Sequence, residues 1–475
     1  MPETLRMPEP TARVRRLPLA GKVAVRPYTD PLGGARPPLA SLLEGSAYLG
    51  YAYAYPHKTA YRPLEAPRAL STLWQAEDTR ALFLYLHVPF CEMRCGFCNL
   101  FTEVRPNEER ERAYVVTLER QARVVRDAIG AGARFARVAF GGGTPTYLSP
   151  ALLERLFDVA ERTMGASLAA LPTSLETSPA TATPDRLRLA KNYGIDRLSI
   201  GVQSFDAQVL KALGRPERPD AARRALDRIR EAGFARLNID LIYGAEGQTT
   251  ESWLASVREA LRWRPEELYL YPLYVRPATG LGRRERSWED RRLTLYREAR
   301  ALLATEGYVA RSMRMFRRAD AAVTEGPVYC CQEDGMVGLG CGARSYTRAL
   351  HYSDDWAVGA RGVRAIVDRW IERDDAAFAR AEYGCELDGE EQRRRYVIKS
   401  LLTADGLDIA AYRARFSSSP QSDLPELAEL LALELASLRE GVLRLNERGL
   451  ERSDVIGPWL YSDRMRASSE AFVVR

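Results

Sequence analysis

From Leu82 onward, short apolar segments alternate with longer segments in which apolar residues recur every three or four positions. Short apolar segments indicate strands, and the recurring pattern indicates helices with one buried face. The predicted strands are Leu82–Val88, Arg137–Phe140, Thr173–Thr177, Arg197–Val202, Arg236–Ile242 and Glu267–Leu273. Helices are predicted after the cap residue Asn107 and over residues 150–164, 183–194, 218–232 and 250–263. This alternation predicts a parallel α/β fold, either an open doubly wound sheet or a full or partial barrel.

The regions on either side of this pattern have a different character. Residues 1–78 are rich in Pro, Ala, Gly and Arg, and we expect an irregular arm there. Residues 79–375 would form the α/β body and its extension. Residues 376–475 are predicted to be a small, mainly helical domain, with amphipathic helices over 390–416 and 427–450. Gly406 and Gly449 are expected at helix ends.

Composition and charge narrow the class of protein. The net charge of +6 comes from 69 basic and 63 acidic residues that are mixed along the chain. This mixing is typical of solvated helix faces, so no nucleic-acid partner is expected. No apolar run reaches about 18 residues and no secretion signal is visible, so no membrane partner is expected. An odd count of seven cysteines predicts a reducing, cytoplasmic compartment.

Three cysteines lie close together in the stretch HVPFCEMRCGFCNLF, with the spacing C-x3-C-x2-C. A redox pair would use Cys95 and Cys98 and leave Cys91 without a role. A tetrahedral zinc site needs a fourth ligand, and His87 lies on a strand where packing or hydrogen bonding is expected instead. Thiolates are the natural ligands of iron–sulfur clusters, so we favour a 4Fe–4S cluster held by Cys91, Cys95 and Cys98.

Polar and glycine residues follow the predicted strands one after another. The cysteines follow the first strand and Gly141–Thr144 follow the second, while Glu176, Gln203 and Asp240 end the next three. In a β/α barrel the carboxyl ends of all strands meet at one rim, where active sites are built. The sequence therefore predicts one site from these scattered residues. The glycines remove side chains where a backbone must come close to a ligand.

These motifs together resemble the radical S-adenosylmethionine (SAM) superfamily, in its coproporphyrinogen-III-oxidase-like (HemN-like) branch. The resemblance rests on YLHVPFCEMRCGFC, FGGGTPTYL, SLETSP, RLSIGVQSFD, LGR, NIDLIYG and GLGCGARSY, which span about residues 80–350. The C-terminal domain resembles the family more loosely. The resemblance implies a partial (β/α)6 barrel of the TIM type. It also implies that the cluster leaves one iron open to SAM, which is cleaved to a 5′-deoxyadenosyl radical.

Site residues follow from matching the family's motifs to this sequence. The residues that would contact a first SAM are Tyr85, Phe97, Gly142 and Glu176. The residues that would contact a second SAM are Gly143, Thr144, Gln203, Arg215 and Asp240. Glu176 suits the SAM ammonium and Arg215 suits a carboxylate. Gln203 and Asp240 could instead cap the backbone, and Arg215 could instead pair with an acid.

Three reactions compete within this branch. Coproporphyrinogen oxidases carry a further cysteine where this chain has Leu100. The haem-binding chaperones carry a stretch with His and Trp before the glycine-rich loop, and VYCCQEDGMVGLG has neither. The favoured hypothesis is a class C methyltransferase or cyclopropanase of natural-product biosynthesis, in which the second SAM donates one carbon to an sp2 carbon.

The expected partners follow from the same resemblance. They are an unsaturated or aromatic small-molecule substrate and an electron donor such as flavodoxin or ferredoxin, acting on a monomer. Candidate substrate-pocket segments are the Tyr-rich stretch of residues 47–64, Ser312–Arg318 and Tyr329–Met336. Buried structural roles are expected for the other cysteines, Cys330, Cys331, Cys341 and Cys385.

Overall fold

The N-terminal region contributes an edge strand to the main sheet. A computed structural model of the chain describes residues 24–25, 36–52, 54–215, 218–284, 287–322 and 335–472. The first elements are β1 (Ala24–Val25), α1 (Leu39–Leu43), a 3-10 helix (Lys58–Ala60), β2 (Arg62–Ala69) and α2 (Leu70–Gln75). Strand β2 forms the last strand at one edge of the large sheet. The arm is therefore partly regular, which its weak periodicity did not predict.

Six parallel strands alternate with helices and form the centre of the molecule. The elements are β3 (Leu82–Val88), β4 (Phe90–Cys91), β5 (Glu103–Val104), α3 (Glu108–Ile129), β6 (Phe135–Gly142), α4 (Pro150–Asp158), β7 (Thr173–Thr177), α5 (Pro184–Asn192), β8 (Arg197–Gln203), α6 (Ala207–Ala212), α7 (Pro219–Glu231), β9 (Arg236–Tyr243), α8 (Thr250–Leu261) and β10 (Glu267–Pro272). Strands β3, β6, β7, β8, β9 and β10 pair in this order, all parallel. The predicted parallel α/β fold is confirmed.

The predicted strands and helices lie close to those of the structure because burial drives both. Leu82, Leu84, Leu86 and Val88 of β3 are fully buried and face the helices, while the residues between them face the barrel interior. Helix α3 begins after Asn107, whose side chain accepts a hydrogen bond from the backbone N–H of Arg110. The helix predicted over 150–164 is α4 followed by a π-helical turn, Val159–Thr163.

An extension of mainly antiparallel strands widens the sheet on both sides, although its strand Met336–Leu339 pairs in parallel with β3. It contains β11 (Trp288–Glu289), α9 (Arg292–Thr305), β12 (Tyr308–Ala310), β13 (Met315–Arg318), β14 (Met336–Leu339), β15 (Arg344–Tyr346), β16 (Leu350–Ser353), α10 (Ala360–Ile371), α11 (Asp375–Phe378) and β17 (Arg380–Glu386). The full order is β12-β13-β10-β9-β8-β7-β6-β3-β14-β15-β16-β17-β2. Among the described strands the two ends of this sheet do not pair, so the six parallel strands form a partial barrel.

The C-terminal region is mainly helical but also contains a small sheet. Its elements are α12 (Gly389–Leu401), β18 (Leu407–Asp408), α13 (Ile409–Phe416), α14 (Pro420–Asp423), α15 (Leu427–Ala432), β19 (Ala436–Arg439), β20 (Val442–Leu445), α16 (Glu447–Leu450), α17 (Ser453–Trp459) and α18 (Asp463–Glu470). The prediction of helix over 427–450 is right for α15 and α16 at its two ends and wrong for the strands β19 and β20 between them. Glu440 and Gly441 both have positive φ and turn the chain into a β19–β20 hairpin.

Two glycine predictions in this region have different outcomes. Gly406 has φ of +77° and lies in the turn between α12 and β18, beyond the helix end. Gly449 lies inside α16, where an added Cβ would be 2.2 Å from the backbone oxygen of Leu435. Close packing therefore accounts for Gly449, and the prediction that it ends a helix is wrong.

Two large hydrophobic cores hold the fold together. The first core lies between the sheet and the helices around it and includes the side chains of β3, β6, β8 and β9. The second core lies in the C-terminal region and also takes in Leu39, Tyr55 and Tyr61 from the arm. The arm therefore packs on the C-terminal region. Among the described helices, none is long and apolar enough to cross a membrane.

Candidate active site

A cavity of about 410 Å³ lies at the carboxyl ends of the parallel strands. It is lined by the loop after β4, the glycine turn after β6 and residues at the ends of β7, β8, β9 and β10. All the predicted site residues except Tyr85 line this cavity: Cys91, Cys95, Cys98, Phe97, Gly142, Gly143, Thr144, Glu176, Gln203, Arg215 and Asp240. This arrangement agrees with the prediction that the residues at successive strand ends form one site.

Backbone hydrogen bonds hold the cysteine loop, residues 91–104, in place. Its two ends pair as β4 and β5, and the N–H of Arg105 donates to the carbonyl of Cys91 at 2.9 Å. In the middle of the loop, Gly96 donates its N–H to the carbonyl of Gly214 at 3.2 Å and accepts at 2.7 Å from Leu281. A Cβ on Gly96 would be 2.8 Å from the carbonyl oxygen of Leu213. Gly96 thus holds the cysteine loop in place, a role that the sequence analysis missed.

The cysteine arrangement fits a cluster better than a single ion. Within the described ranges, no three Cys, His, Asp or Glu side chains converge closely enough to hold one metal ion. An iron–sulfur cubane needs no such convergence, because each thiolate binds a different iron. Burial raises the pKa of the Cys91 thiol to about 12, so its thiolate needs a positive partner such as iron. The donor set therefore fits a 4Fe–4S cluster held by Cys91, Cys95 and Cys98.

The glycine turn brings the cysteine loop and Glu176 together. Gly142 has φ of +122°, and its N–H donates to the Glu176 carboxylate at 3.2 Å. A Cβ on Gly143 would be 2.6 Å from the carbonyl oxygen of Phe90 and 2.9 Å from the Cys91 sulfur. A Cβ on Gly141 would be 3.0 Å from the Glu176 carboxyl carbon. Protein atoms alone therefore already require these positions to lack side chains.

Two carboxyl groups give the cavity a negative side. Glu176 is exposed to the cavity but lies deep in the barrel, and burial together with the nearby Asp240 raises its pKa to about 7. Burial also raises the pKa of Asp240 to about 6, although Asn238 donates a hydrogen bond to it at 2.7 Å. A cation bound beside these two groups would stabilise their charged forms, because its charge offsets the cost of burying a carboxylate.

The residues predicted for a second SAM also have defined positions. Arg215 lies beside the cysteine loop, where its guanidinium donates to the Cys95 sulfur at 3.8 Å. Thr144 places its hydroxyl 3.5 Å from the Cys91 sulfur. Gln203 ends β8 with a positive φ of 70°, which turns its side chain toward Gly201. These contacts bring the second set of residues next to the first.

Tyr85 and His87 lie deeper on β3. The Tyr85 hydroxyl is 3.2 Å from Nδ1 of His87, and Tyr85 does not line the cavity. His87 is buried, its Nε2 is 3.5 Å from the carbonyl oxygen of Phe101, and burial lowers its pKa to about 4. His87 is therefore a neutral, packed residue beside the glycine turn.

An aromatic wall forms another side of the cavity, next to the end of β10. We define it as Tyr51, Tyr271, Tyr274 and Arg314, all of which line the cavity. The Arg314 guanidinium lies 3.9 Å from the centre of the Tyr51 ring, which stacks on Tyr274 at 6.4 Å. Tyr51 and Arg314 belong to two segments expected to shape the pocket. The third such segment lies mostly outside the described residues, as do Cys330 and Cys331.

The aromatic wall is fixed by Asp454, which the sequence analysis missed. Asp454 is fully buried in α17, and its carboxylate accepts hydrogen bonds from Arg314 and from the Tyr274 hydroxyl. Its backbone carbonyl accepts from the N–H of Gly50 at 3.0 Å. One residue of the C-terminal region therefore holds the arm and the cavity wall together. The remaining cysteines, Cys341 and Cys385, are buried away from this cavity.

Comparisons with known proteins agree with this site. The model of the radical SAM superfamily matches residues 85–260, and that of the HemN C-terminal domain matches residues 387–451. The oxygen-independent coproporphyrinogen III oxidase of Escherichia coli is 29% identical over 388 residues, covering 78% of this chain and 82% of that protein. The heme chaperone HemW of the same organism is 30% identical over 272 residues, covering 55% of this chain and 69% of that protein.

A solved structure shows the same fold. The structure of coproporphyrinogen III oxidase (HemN) from Escherichia coli aligns with a TM-score of 0.73 at 23% identity. The alignment covers 91% of this chain and 99% of that chain, so it extends over the partial barrel and the C-terminal region.

Proposed function

This chain belongs to the HemN-like branch of the radical SAM superfamily, and we propose that it is an oxidase-type enzyme acting on a small-molecule substrate. The observation that carries the proposal is the single cavity lined by the three cysteines, the glycine turn and Glu176. Among the curated relatives, the coproporphyrinogen III oxidases support an oxidase reaction more than the carbon transfer favoured by the sequence motifs.

The cofactors of the superfamily suit the residues that line the cavity. When bound and reduced by an electron donor such as flavodoxin or ferredoxin, a 4Fe–4S cluster would supply the electron for cleavage of SAM to a 5′-deoxyadenosyl radical. Cys91, Cys95 and Cys98 would hold this cluster. The Glu176 carboxylate would bind the SAM ammonium, and the hydrogen bond that it accepts from the N–H of Gly142 would fix its orientation.

The aromatic wall would hold the substrate opposite the SAM site. Tyr51, Tyr271 and Tyr274 offer ring faces and edges to a flat, unsaturated molecule, and they exclude water from the reacting atoms. Positioning the substrate against SAM is how the protein would direct hydrogen abstraction to one carbon.

A second candidate is the class C transfer of one carbon from a second SAM. It is supported by Thr144, Gln203, Arg215 and Asp240, which line the same cavity as Glu176. It is also supported by Leu100, which lines the cavity at the position where the oxidases carry a further cysteine. The curated relatives count against it, so we rank it below the oxidase reaction.

One isotope experiment separates the two candidates. The reconstituted enzyme is reduced without oxygen and supplied with SAM deuterated in its methyl group and with coproporphyrinogen III as the first substrate. The oxidase reaction predicts 5′-deoxyadenosine without deuterium, together with oxidised substrate that has lost carbon dioxide. Deuterium in 5′-deoxyadenosine would contradict the oxidase proposal and support transfer of carbon from a second SAM.

A further inference from the structure

Four buried hydroxyl groups form a chain of hydrogen bonds beside the main cavity. They belong to Thr146, Thr177, Ser178 and Thr181, and we call them the hydroxyl chain. The hydroxyl oxygen of Thr146 lies 2.8 Å from that of Thr177 and 2.7 Å from that of Thr181. The hydroxyl oxygen of Thr181 lies 2.9 Å from that of Ser178. The chain therefore runs from the last residue of β7, through the turn after β6, to the residue that follows β7.

The hydroxyl chain ends on the carboxylate of Glu92. The Ser178 hydroxyl donates to Oε1 of Glu92 at 2.8 Å. A carboxylate only accepts hydrogen bonds, and each hydroxyl has a single proton to donate. Because the Ser178 proton goes to Glu92, Ser178 must accept from Thr181. In the same way, Thr181 accepts from Thr146, and Thr146 accepts from Thr177. All four hydroxyl dipoles therefore point toward one carboxylate and stabilise its negative charge.

Hydroxyl dipoles stabilise the charge of Glu92 without neutralising it. The Oε2 atom of Glu92 is shielded from solvent, and it accepts no hydrogen bond from the described residues. Arg105 is exposed, and its Nε donates at 2.8 Å to the backbone carbonyl of Glu92 rather than to the carboxylate. The hydrogen bond that the carboxylate accepts from the described residues thus comes from a hydroxyl group and not from a cation. A full negative charge is therefore retained at this position.

This negative charge lies close to the cysteine loop. Glu92 directly follows Cys91, and both residues line the main cavity. Chain geometry places the Glu92 carboxylate within about 10 Å of the Cys91 sulfur. Charges that are shielded from solvent are screened less than exposed ones, so they interact appreciably over such a distance. An anion here therefore opposes the arrival of an electron on a cluster bound to Cys91.

We propose that the hydroxyl chain holds Glu92 as an anion beside the 4Fe–4S cluster, and that its charge makes reduction of the cluster less favourable. Reduction is the transfer of one electron from the electron donor to the cluster, with no bond formed or broken. A cluster that is harder to reduce is a stronger reductant for SAM. Ser178 would be a positioning residue that acts through Glu92. The proposal rests on the proposed function only through the assignment of the cluster to Cys91, Cys95 and Cys98.

A redox titration of the reconstituted full-length protein tests the effect of the charge. The titration is made without SAM, and the reduced cluster is followed by electron paramagnetic resonance. Glu92→Gln keeps the size of the side chain but removes its charge. We expect reduction of the cluster to become about tenfold more favourable, a rise in midpoint potential of about 59 mV for one electron. Glu109→Gln is the matched control, because it removes the same charge from an exposed position in the first turn of α3 and should not change the potential.

The positioning role of Ser178 is tested in a double variant. Ser178→Ala removes the hydroxyl that donates to Glu92, so the carboxylate is no longer held in place. In this background, Glu92→Gln should raise the midpoint potential by at most about half as much as it does in the wild type. Equal rises in the two backgrounds would overturn the role of the hydroxyl chain.

The remaining outcomes separate this proposal from the proposed function. A midpoint potential of Glu92→Gln equal to that of the wild type would overturn the role of the Glu92 charge. Glu92→Ala is a second variant without the charge, and loss of iron from both variants would also overturn the proposal, because Glu92 would then be needed to form the loop. Failure of the wild type to oxidise coproporphyrinogen III, with the shift in potential retained, would overturn the proposed oxidase reaction alone. A wild type that binds no cluster would overturn both.

Discussion

The two walls of the main cavity are built in different ways. The strand-end wall consists of the cysteine loop, the glycine turn, Glu176, Gln203 and Asp240, which follow successive strands of the barrel. The aromatic wall joins Tyr51 of the arm, Tyr274 after β10 and Arg314 before β13. The first wall is therefore placed by neighbouring backbone, and the second by contacts between side chains far apart in the sequence.

This difference predicts different consequences of substitution. In the strand-end wall, backbone atoms and glycines leave little room for movement, so a small change displaces groups that would hold the cofactors. In the aromatic wall, the buried Asp454 carboxylate joins Arg314 and Tyr274, so a change there breaks a charge network. Substitutions in the strand-end wall should abolish SAM cleavage. Substitutions in the aromatic wall should lower the free energy of unfolding and the affinity for substrate.

The largest effect is expected from removing one thiolate of the strand-end wall. Cys98→Ser should prevent stable loading of a 4Fe–4S cluster, because a hydroxyl is a poor ligand for iron in such clusters. The measurement is iron content, visible absorption and formation of 5′-deoxyadenosine, all of which should fall to background. Cys385→Ser is the control for cysteine loss away from the cavity, and it should load iron normally. Full activity of Cys98→Ser would remove this residue from the site.

The next effect tests how tightly backbone fixes the same wall. Gly143→Ala would place a methyl group 2.6 Å from the carbonyl of Phe90 and 2.9 Å from the Cys91 sulfur. We expect SAM cleavage to fall about a hundredfold, because a displacement of about 1 Å can cost that much in rate. Gly132→Ala is the matched control, since a Cβ there meets nothing within 4 Å. Equal rates for the two variants would show that the wall tolerates movement.

The aromatic wall is tested by removing the charge of Asp454. Asp454→Asn leaves the Arg314 guanidinium buried without its carboxylate, and the expected loss of unfolding free energy is about 3 kcal/mol. The measurement is denaturant unfolding. The control is Asp405→Asn, which breaks the exposed ion pair with Arg311 and should change stability little. If both variants were equally stable, the Asp454 network would not hold this wall.

The smallest effect concerns the protonation of Glu176. Its pKa of about 7 means that the carboxylate is neutralised as the pH falls through 7, which removes its attraction for the SAM ammonium. We expect the affinity for SAM to fall by up to about tenfold for each pH unit below 7. Glu176→Gln should bind weakly and without this dependence. Asp240→Asn should keep the dependence but shift it to lower pH, because the Asp240 carboxylate helps to raise the pKa of Glu176. A pH-independent wild type would contradict the assignment of Glu176.

The same contrast explains how much the sequence could predict. The buried strand β3 is a nearly continuous apolar segment, so its bounds could be predicted to the residue. The site residues of the strand-end wall follow strand ends, and fold geometry then brings them together. Gly96 was missed because nothing in the local pattern shows that Leu213 and Gly214 would pack against it.

The rest of the structure depends on contacts that local patterns do not show. The segment of residues 427–450 has helical periodicity at its start. The hairpin within the same segment is set by a turn at Glu440 and Gly441. Most strands of the extension are two to four residues long, which is too short for a clear period. Asp454 lies in a polar stretch that is typical of a surface, and only the packed structure shows its burial.

The central claim is that the strand-end wall makes this chain a radical SAM enzyme. The most direct test is to reconstitute the wild type with iron and sulfide without oxygen, reduce it, add SAM and quantify 5′-deoxyadenosine and methionine. The account predicts that both products form in equal amounts and that neither forms with the triple variant of Cys91, Cys95 and Cys98 to alanine. A wild type that carries a full cluster, binds SAM and yields neither product would contradict it.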